Sequence, residues 1–267
     1  MKATKWTAVR IRAMKGQKKI SCLTAYDFAT SRILDETGIP LILVGDSLAM
    51  AMLGYDTTLP VTIEAMLHHT AAVTRGVASA LVVADMPFMS YQISVEQALA
   101  NAGRFIKEAG AGAVKIEGGR FRAPTVKALT ENGIPVLTHI GLTPQSIHAL
   151  GGYKVQGRNS AEAQRLVEDA RVLEEAGAFA IVLECIPPAL GKEITTAVGI
   201  PTIGIGAGPH CDGQILVTHD LLGIVGEVTP KFVKRYADMG AAMKQAFTEY
   251  KNDVEQGRFP GPEHCYT

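Results

Sequence analysis

The sequence predicts an α/β fold, a closed parallel (β/α)8 barrel of the TIM type, and three observations predict it. Eight short apolar runs recur along the chain, at about 19–24, 41–45, 80–84, 113–117, 135–139, 179–184, 202–206 and 214–218. Runs that are apolar on both faces and alternate with helical patterns belong to a parallel sheet covered on both sides. A repeated punctuation precedes several of them. Gly38-Ile39-Pro40, Gly133-Ile134-Pro135 and Gly199-Ile200-Pro201 each stand before an apolar run, as do Glu108-Ala109-Gly110-Ala111 and Glu175-Ala176-Gly177-Ala178. Each reads as a helix ending at a glycine in the left-handed conformation, then a turn, then a strand. The third observation is length: 267 residues match the ~250 typical of one eight-fold barrel and leave no room for a second domain.

Taken in order, the elements fit that plan. The run at 19–24 opens the barrel, and Leu41-Ile42-Leu43-Val44-Gly45 is the second strand. A loop through Leu53-Gly54-Tyr55-Asp56-Thr57-Thr58-Leu59-Pro60, long enough for a lid, leads to a helical pattern from Ile63 to Val77. Strand three, Ala80-Leu81-Val82-Val83-Ala84, is followed by a helix from Val95 to Ala109 and strand four, Ala113-Val114-Lys115-Ile116-Glu117. Strand five is expected to end at His139. A helix from Ala161 to Ala176 precedes strand six, which ends in Ala180-Ile181-Val182-Leu183-Glu184. Strands four and six align without gaps, so Glu117 matches Glu184. Residues 1–267 are expected to form one barrel domain with one or two terminal helices from about 230, between Pro230 and Gln256, and an irregular tail at Phe259-Pro260-Gly261-Pro262.

Composition excludes several classes. Lys+Arg and Asp+Glu both number 26, so the formal charge is zero, which argues against a nucleic-acid or membrane-surface partner. Apolar residues make up 47%, enough for a large core. Cys22, Cys185, Cys211 and Cys265 lie far apart without a CxxC pair, and read as reduced thiols of a cytoplasmic protein. Met1-Lys2-Ala3-Thr4-Lys5-Trp6 lacks the apolar core of a signal peptide. No apolar stretch reaches the ~18 residues of a membrane helix.

Four carboxylates close four strands: Asp46, Asp85, Glu117 and Glu184. A buried carboxylate costs several kcal/mol unless neutralised or bound to a cation, and a parallel barrel gathers its strand ends around one mouth. That convergence points to a hard-metal site with a spare base beside it. Magnesium takes oxygen ligands and one or two direct carboxylates. Asp46 and Asp85 suit that role, with Glu117 direct or through water. The plainer reading is that these acids cap the helices that follow. Lys115 shares a strand face with Glu117, so it either holds a substrate anion or forms a structural pair with Glu117. His139 either orients substrate or is a satisfied core histidine. His68 and His69 fall mid-helix, outside the chemistry. Gly204-Ile205-Gly206-Ala207-Gly208 lets backbone N–H groups approach a phosphate or forms a tight turn against a neighbouring loop. Cys211 has no activating partner in sequence and reads as inert.

The blocks Leu23-Thr24-Ala25-Tyr26-Asp27, Val44-Gly45-Asp46-Ser47, Leu53-Gly54-Tyr55, Ala84-Asp85-Met86-Pro87-Phe88, Val114-Lys115-Ile116-Glu117-Gly118-Gly119, His139-Ile140-Gly141-Leu142-Thr143-Pro144-Gln145, Gly151-Gly152-Tyr153, Leu183-Glu184 and Gly204-Ile205-Gly206-Ala207-Gly208 resemble the signature of the ketopantoate hydroxymethyltransferases. They run in order over nearly the whole chain, as does the similar tail Pro262-Glu263-His264-Cys265-Tyr266. The resemblance implies a barrel of the phosphoenolpyruvate-mutase and isocitrate-lyase-like group. It also implies one Mg2+ per subunit, the cosubstrate 5,10-methylenetetrahydrofolate, a 2-oxo-acid substrate and a homodecamer. It implies that Asp46 and Asp85 bind the metal with Glu117 assisting, that Asp46, Ser47, Asp85 and Lys115 hold substrate, and that Glu184 is the general base, with His139 as an auxiliary. Two other readings of the residues stand beside it. One is a related metal-dependent carbon–carbon lyase, for which no reactive loop cysteine is evident. The other is a non-catalytic barrel scaffold.

Overall fold

A computed structural model describes residues 5–224 and 230–267. Its eight strands are all parallel to their neighbours and close in sequence order into a barrel. They are β1 (Ile20–Thr24), β2 (Leu41–Val44), β3 (Leu81–Asp85), β4 (Ala113–Glu117), β5 (Val136–Gly141), β6 (Ala180–Glu184), β7 (Thr202–Ile205) and β8 (Gly213–Leu216). Closure is made by β8 against β1, with Cys22 opposite Ile215. The helices are α1 (Ala8–Arg12), α2 (Phe28–Glu36), α3 (Leu48–Ala51), α4 (Ile63–Gly76), α5 (Val95–Lys107), α6 (Ala123–Glu131), α7 (Ile147–Leu150), α8 (Ser160–Glu175), α9 (Pro188–Ala197), α10 (Thr218–Leu222) and α11 (Met239–Glu255). The chain divides into two compact units, Met1–Val217 and Thr218–Thr267. The first holds the barrel. The second holds α10 and α11, the latter starting at Met239, where the Asp238 carboxylate accepts the Ala241 N–H.

The helix starts are set by short polar caps. Asp27, Thr62, Ser94 and Asn159 each accept an N–H of the first turn, of α2, α4, α5 and α8 respectively, satisfying donors that have no partner inside the helix. The strand-end acids are not among these caps. Of the punctuating glycines, Gly38, Gly110, Gly133 and Gly177 have the expected positive φ. Gly199 corrects the pattern. α9 ends on Val198 in extended conformation, and the Gly199 N–H is taken by Glu174 Oε1 at 2.9 Å, so no left-handed residue is needed there.

The core has two layers. The larger lies between strands and helices, with Ile42, Val44, Val82, Val114, Ile116, Ile181 and Leu183 facing outward into it. The smaller fills the barrel interior with Ile20, Leu41, Leu43, Leu81, Val83, Ala113, Leu137, Val182 and Ile203. Ile11 of α1, fully buried, belongs to this inner cluster and closes the barrel at the strands' amino ends. Beside it, Lys15 Nζ donates to Asp212 Oδ2 at 2.9 Å, and that oxygen also takes the Thr202 N–H at 2.9 Å. This clamp ties α1's exit to the starts of β7 and β8. Several strand boundaries shift by one or two residues from expectation, and two of the shifts bear on the site. Asp85 is the last residue of β3 rather than the first after it, and β5 runs past His139 to Gly141.

Candidate active site

Side chains two apart on a strand share a face, so the inward columns that begin in the apolar cluster continue into the mouth. Above Leu81 and Val83 comes Asp85, and above Ala113 come Lys115 and Glu117. His139 follows Leu137, and Glu184 follows Ala180 and Val182. Asp46 arrives from the turn after β2. Asp46, Asp85, Lys115, Glu117 and His139 are each at most 4% exposed. The four strand-end carboxylates, Lys115 and His139 therefore gather at one mouth, as barrel closure requires.

Their contacts form one network. Lys115 Nζ donates to Asp85 Oδ1 and Oδ2 at 2.8 and 2.7 Å and lies 3.4 Å from Glu117 Oε1. The backbone N–H of Asp46 donates to Asp85 Oδ2 at 3.1 Å. His139 stands between two carboxylates, with Nδ1 3.3 Å from Glu117 Oε1 and Nε2 3.2 Å from Glu184 Oε2. Neither contact is aligned as a hydrogen bond. Ser47 Oγ lies 2.8 Å from Tyr26 Oη. A Cβ on Gly45 would come within 2.8 Å of that Ser47 Oγ, so a larger residue before Asp46 would push the hydroxyl away from Tyr26.

Burial and neighbouring charge together set the protonation states. Burial pushes the Asp46 carboxyl well above the usual range, and neighbouring Asp85 adds to this. Burial also raises Asp85, with Lys115 opposing. Burial alone would lower Lys115, but Asp85, Glu117 and Asp46 outweigh it and hold the ammonium protonated. Burial would raise Glu117, but Lys115, His139 and the Gln145 N–H bring it to about 2. Burial works against a charged His139, yet Glu117 and Glu184 lift it to about 9.

Three residues that carry no role in the sequence reading complete the site. Gln145 Nε2 donates to Asp46 Oδ2 at 3.0 Å and to the Met86 carbonyl at 2.9 Å, while its backbone N–H donates to Glu117 Oε2 at 3.0 Å. Tyr91 Oη donates to Gln145 Oε1 at 2.7 Å and accepts the Glu117 N–H at 3.0 Å. Tyr153 Oη lies 3.7 Å from Met50 Sδ in α3, the helix that follows Asp46 and Ser47, and its phenol pKa is raised by burial and by Glu184, Asp46 and Glu117. Tyr26, Gln145 and Tyr153 lie inside the motif blocks, but only the fold shows what they touch.

Other expected residues fall elsewhere. His69 Nδ1 lies 2.7 Å from the Tyr26 carbonyl, a structural contact. The Gly204–Gly208 turn is packed against the start of α9: a Cβ on Gly208 would come 2.6 Å from Pro188 Cβ. Cys211 is buried, with a thiol pKa pushed up by burial.

The charge balance of the donor set suits a cation. Fully ionised, four carboxylates face Lys115 and His139, leaving two negative charges in a buried pit. Asp46 Oδ2 takes a neutral amide from Gln145 rather than a cation, and Asp85 shares Lys115 with Glu117; both aspartates are oxygen donors, which fit a hard divalent ion. Among the described residues no three His, Cys, Asp or Glu side chains are grouped at metal-ligand spacing. Glu117 is engaged by Lys115, His139 and Gln145.

A closed parallel barrel whose strand ends carry a buried acid–base network at the mouth defines a (β/α)8-barrel enzyme. Solved structures with this fold include phosphoenolpyruvate phosphomutase from Streptomyces platensis subsp. rosaceus (TM-score 0.63, 13% identity, covering 94% of this chain and 88% of that one). Another is 2,3-dimethylmalate lyase, a PEP mutase/isocitrate lyase superfamily member (TM-score 0.60, 15% identity, 97% and 91%). Sequence comparison is more specific. The ketopantoate hydroxymethyltransferase family model matches residues 5–262. The 3-methyl-2-oxobutanoate hydroxymethyltransferase of Syntrophus aciditrophicus is 56% identical over 266 residues, 99% of this chain and 98% of that protein. That of Syntrophobacter fumaroxidans is 58% identical over 258 residues, 97% and 92%. The chain belongs to the ketopantoate hydroxymethyltransferase family, enzymes of the first step of pantothenate biosynthesis. No helix among the described residues is long and apolar enough to cross a membrane.

Proposed function

We propose that this chain transfers a hydroxymethyl group from 5,10-methylenetetrahydrofolate to 3-methyl-2-oxobutanoate, using Glu184 as the base, and yields 2-dehydropantoate and tetrahydrofolate with uptake of one water. The observation that carries the assignment of the base is exposure. The Glu184 side chain is 16% exposed, against 3% for Glu117 and 2% for Asp85, so it is the mouth carboxylate best placed to meet a ligand. His139, 2% exposed and held between two carboxylates, is better placed to orient Glu184 than to touch substrate.

Asp46 and Asp85 would hold a Mg2+ ion, with Glu117 supporting. When bound, that ion supplies Lewis-acid polarisation of the substrate ketone. The chain's own groups do the rest. Ser47, steadied by Tyr26, donates to the substrate carboxylate. The three ammonium donors of Lys115 point to Asp85 and Glu117. A substrate carboxylate would replace the longest of these contacts, the one to Glu117. Glu184 removes the proton from C3, next to the ketone. The enolate carbon then bonds to the one-carbon unit of the folate, both C–N bonds that hold this unit to N5 and N10 break, water supplies the hydroxyl, and the two nitrogens take up the proton carried by Glu184 and the second proton of the water. Tyr153 and the loop before α4 flank the mouth, where a cover excludes bulk water.

The chain is further proposed to work in the cytoplasm as a homodecamer. Four free cysteines support the compartment. One side of α11 supports assembly: Met239, Met243, Phe247, Tyr250 and Val254 recur at helical spacing, all exposed. Light scattering at micromolar concentration checks this, and a 28.4 kDa monomer would contradict it. Titration calorimetry with Mg2+ and the 2-oxo acid tests the site. Wild type is expected to bind both, Asp46→Asn and Asp85→Asn to lose metal affinity, and unchanged affinity in both variants would reject the assignment.

A further inference from the structure

Beside the mouth lies a second cavity, of about 330 Å3, that the reaction chemistry leaves unused. That volume lies at the lower end of small-molecule sites. Its walls come from the strand exits that carry the active site. Gly118 and Gly119 directly follow Glu117, and Gly141 stands two residues after His139. Gln156, also in the wall, donates its N–H to the carbonyl of Cys185, next to Glu184, at 2.9 Å. Three residues earlier in the same segment, Tyr153 touches Met50 of α3, the helix that leaves the mouth after Asp46 and Ser47. Three extended residues span about 10 Å, so the segment from Tyr153 to Gln156 joins mouth and cavity.

The lining is apolar with one open cationic end. Phe121, Leu150 and Leu166 supply apolar wall, and Phe121 is 67% exposed. Two arginines line the cavity. Arg120 is committed, its Nε donating to Asp169 Oδ1 at 2.7 Å and its Nη2 to Glu168 at 2.9 Å. That pairing also neutralises Asp169 in the wall. Arg165 is exposed, and among the described residues its guanidinium has no acceptor. A cavity with apolar walls, a neutralised acid and an unpaired guanidinium selects a ligand with a flat apolar middle and an anionic end.

We infer that this cavity holds the benzoyl-glutamate tail of the one-carbon donor, with Arg165 pairing a tail carboxylate while the pterin end covers the mouth. The inference rests on the folate reading proposed above. It separates two parts of the donor: the pterin meets the chemistry, and the tail meets Arg165.

The experiment compares two donors in wild type, Arg165→Ala and Arg165→Lys: 5,10-methylenetetrahydrofolate, and a tail-less donor, the 5,10-methylene derivative of 6-(anilinomethyl)tetrahydropterin, which keeps N10 and its phenyl ring but lacks the carbonyl-glutamate and its carboxylates. In Arg165→Ala the KM for the full donor is expected to rise about tenfold, the scale of losing one charge-assisted pair, with Arg165→Lys intermediate. The KM for the tail-less donor should stay within about twofold across all three, since it has nothing for Arg165 to hold. A KM that rises alike for both donors, or for neither, overturns the inference. Wild type that transfers from neither donor overturns the folate reading and this subsite with it, a pattern distinct from either result above.

Discussion

The two halves of the barrel interior use the same strands to opposite ends. At the amino ends, Leu81, Val83, Ala113, Leu137 and Val182 pack an apolar plug closed by Ile11. One turn of the pleat higher, the same inward columns present Asp85, Lys115, Glu117, His139 and Glu184. The lower half stabilises the fold by removing apolar surface from water. The upper half places like charges in a buried space, which costs stability and is retained for chemistry. The two aspartates that best represent the halves have opposite shifts: Asp212 is held below the usual carboxylate range and Asp46 well above it.

The largest expected effect on stability breaks the upper network. Lys115→Met leaves Asp85 buried without its cation and should cost about 3–5 kcal/mol, read by chemical denaturation. A loss under 1 kcal/mol would mean that Lys115 does not compensate the upper half. Ile11→Ala, in the lower half, should cost about 2–5 kcal/mol through the cavity it leaves, yet alter turnover per folded molecule little. If it abolished turnover in folded protein, the halves would not be separable.

Two smaller effects sharpen the contrast through pH. Burial and Asp85 raise Asp46, so the metal-free folded state binds its proton more tightly than the unfolded chain. Stability from this group falls as pH rises from the ordinary carboxylate value through the folded one. Asp46→Asn removes that slope, and metal-free variant and wild type should diverge more at pH 7.5 than at pH 4.5, the variant being the more stable. For Asp212, burial raises the pKa but Lys15 and the Thr202 N–H outweigh it and lower it overall. Its contribution is present above the unfolded value and is lost as pH falls through the folded one. Asp212→Asn should cost about 1–2 kcal/mol at neutral pH, with the gap closing in acid. Thermal melts across pH check both, and slopes of the same sign would erase the contrast.

The repeat made the fold legible. All eight strands were expected within two residues of where they lie, because runs apolar on both faces, punctuated by turn residues, have few other uses. Closing the barrel then brought Asp46, Asp85, Glu117 and Glu184 to one mouth. Register was not legible. The i, i+2 spacing pointed Lys115 at Glu117, whereas Lys115 pairs in register with Asp85 on the neighbouring strand and makes its shorter contacts there. Gln145 and Tyr91 were equally hidden. They are uncharged and reach the site from a short turn after β5 and the loop before α5, and only long-range packing decides that they bridge Asp46 and Glu117. Gly199 shows the converse, a local motif whose usual conformation was replaced by a tertiary bond to Glu174.

The central claim is that the partly exposed carboxylate of the upper half, Glu184, takes the proton while the buried ones hold the site together. Glu184→Gln keeps the shape and removes the basicity. With Mg2+ and 3-methyl-2-oxobutanoate in D2O, and no folate, wild type should exchange the C3 proton, and the variant should exchange it about 10²–10⁴-fold more slowly. Exchange at the wild-type rate in a variant that still binds the 2-oxo acid would contradict the account and move the role of base to His139.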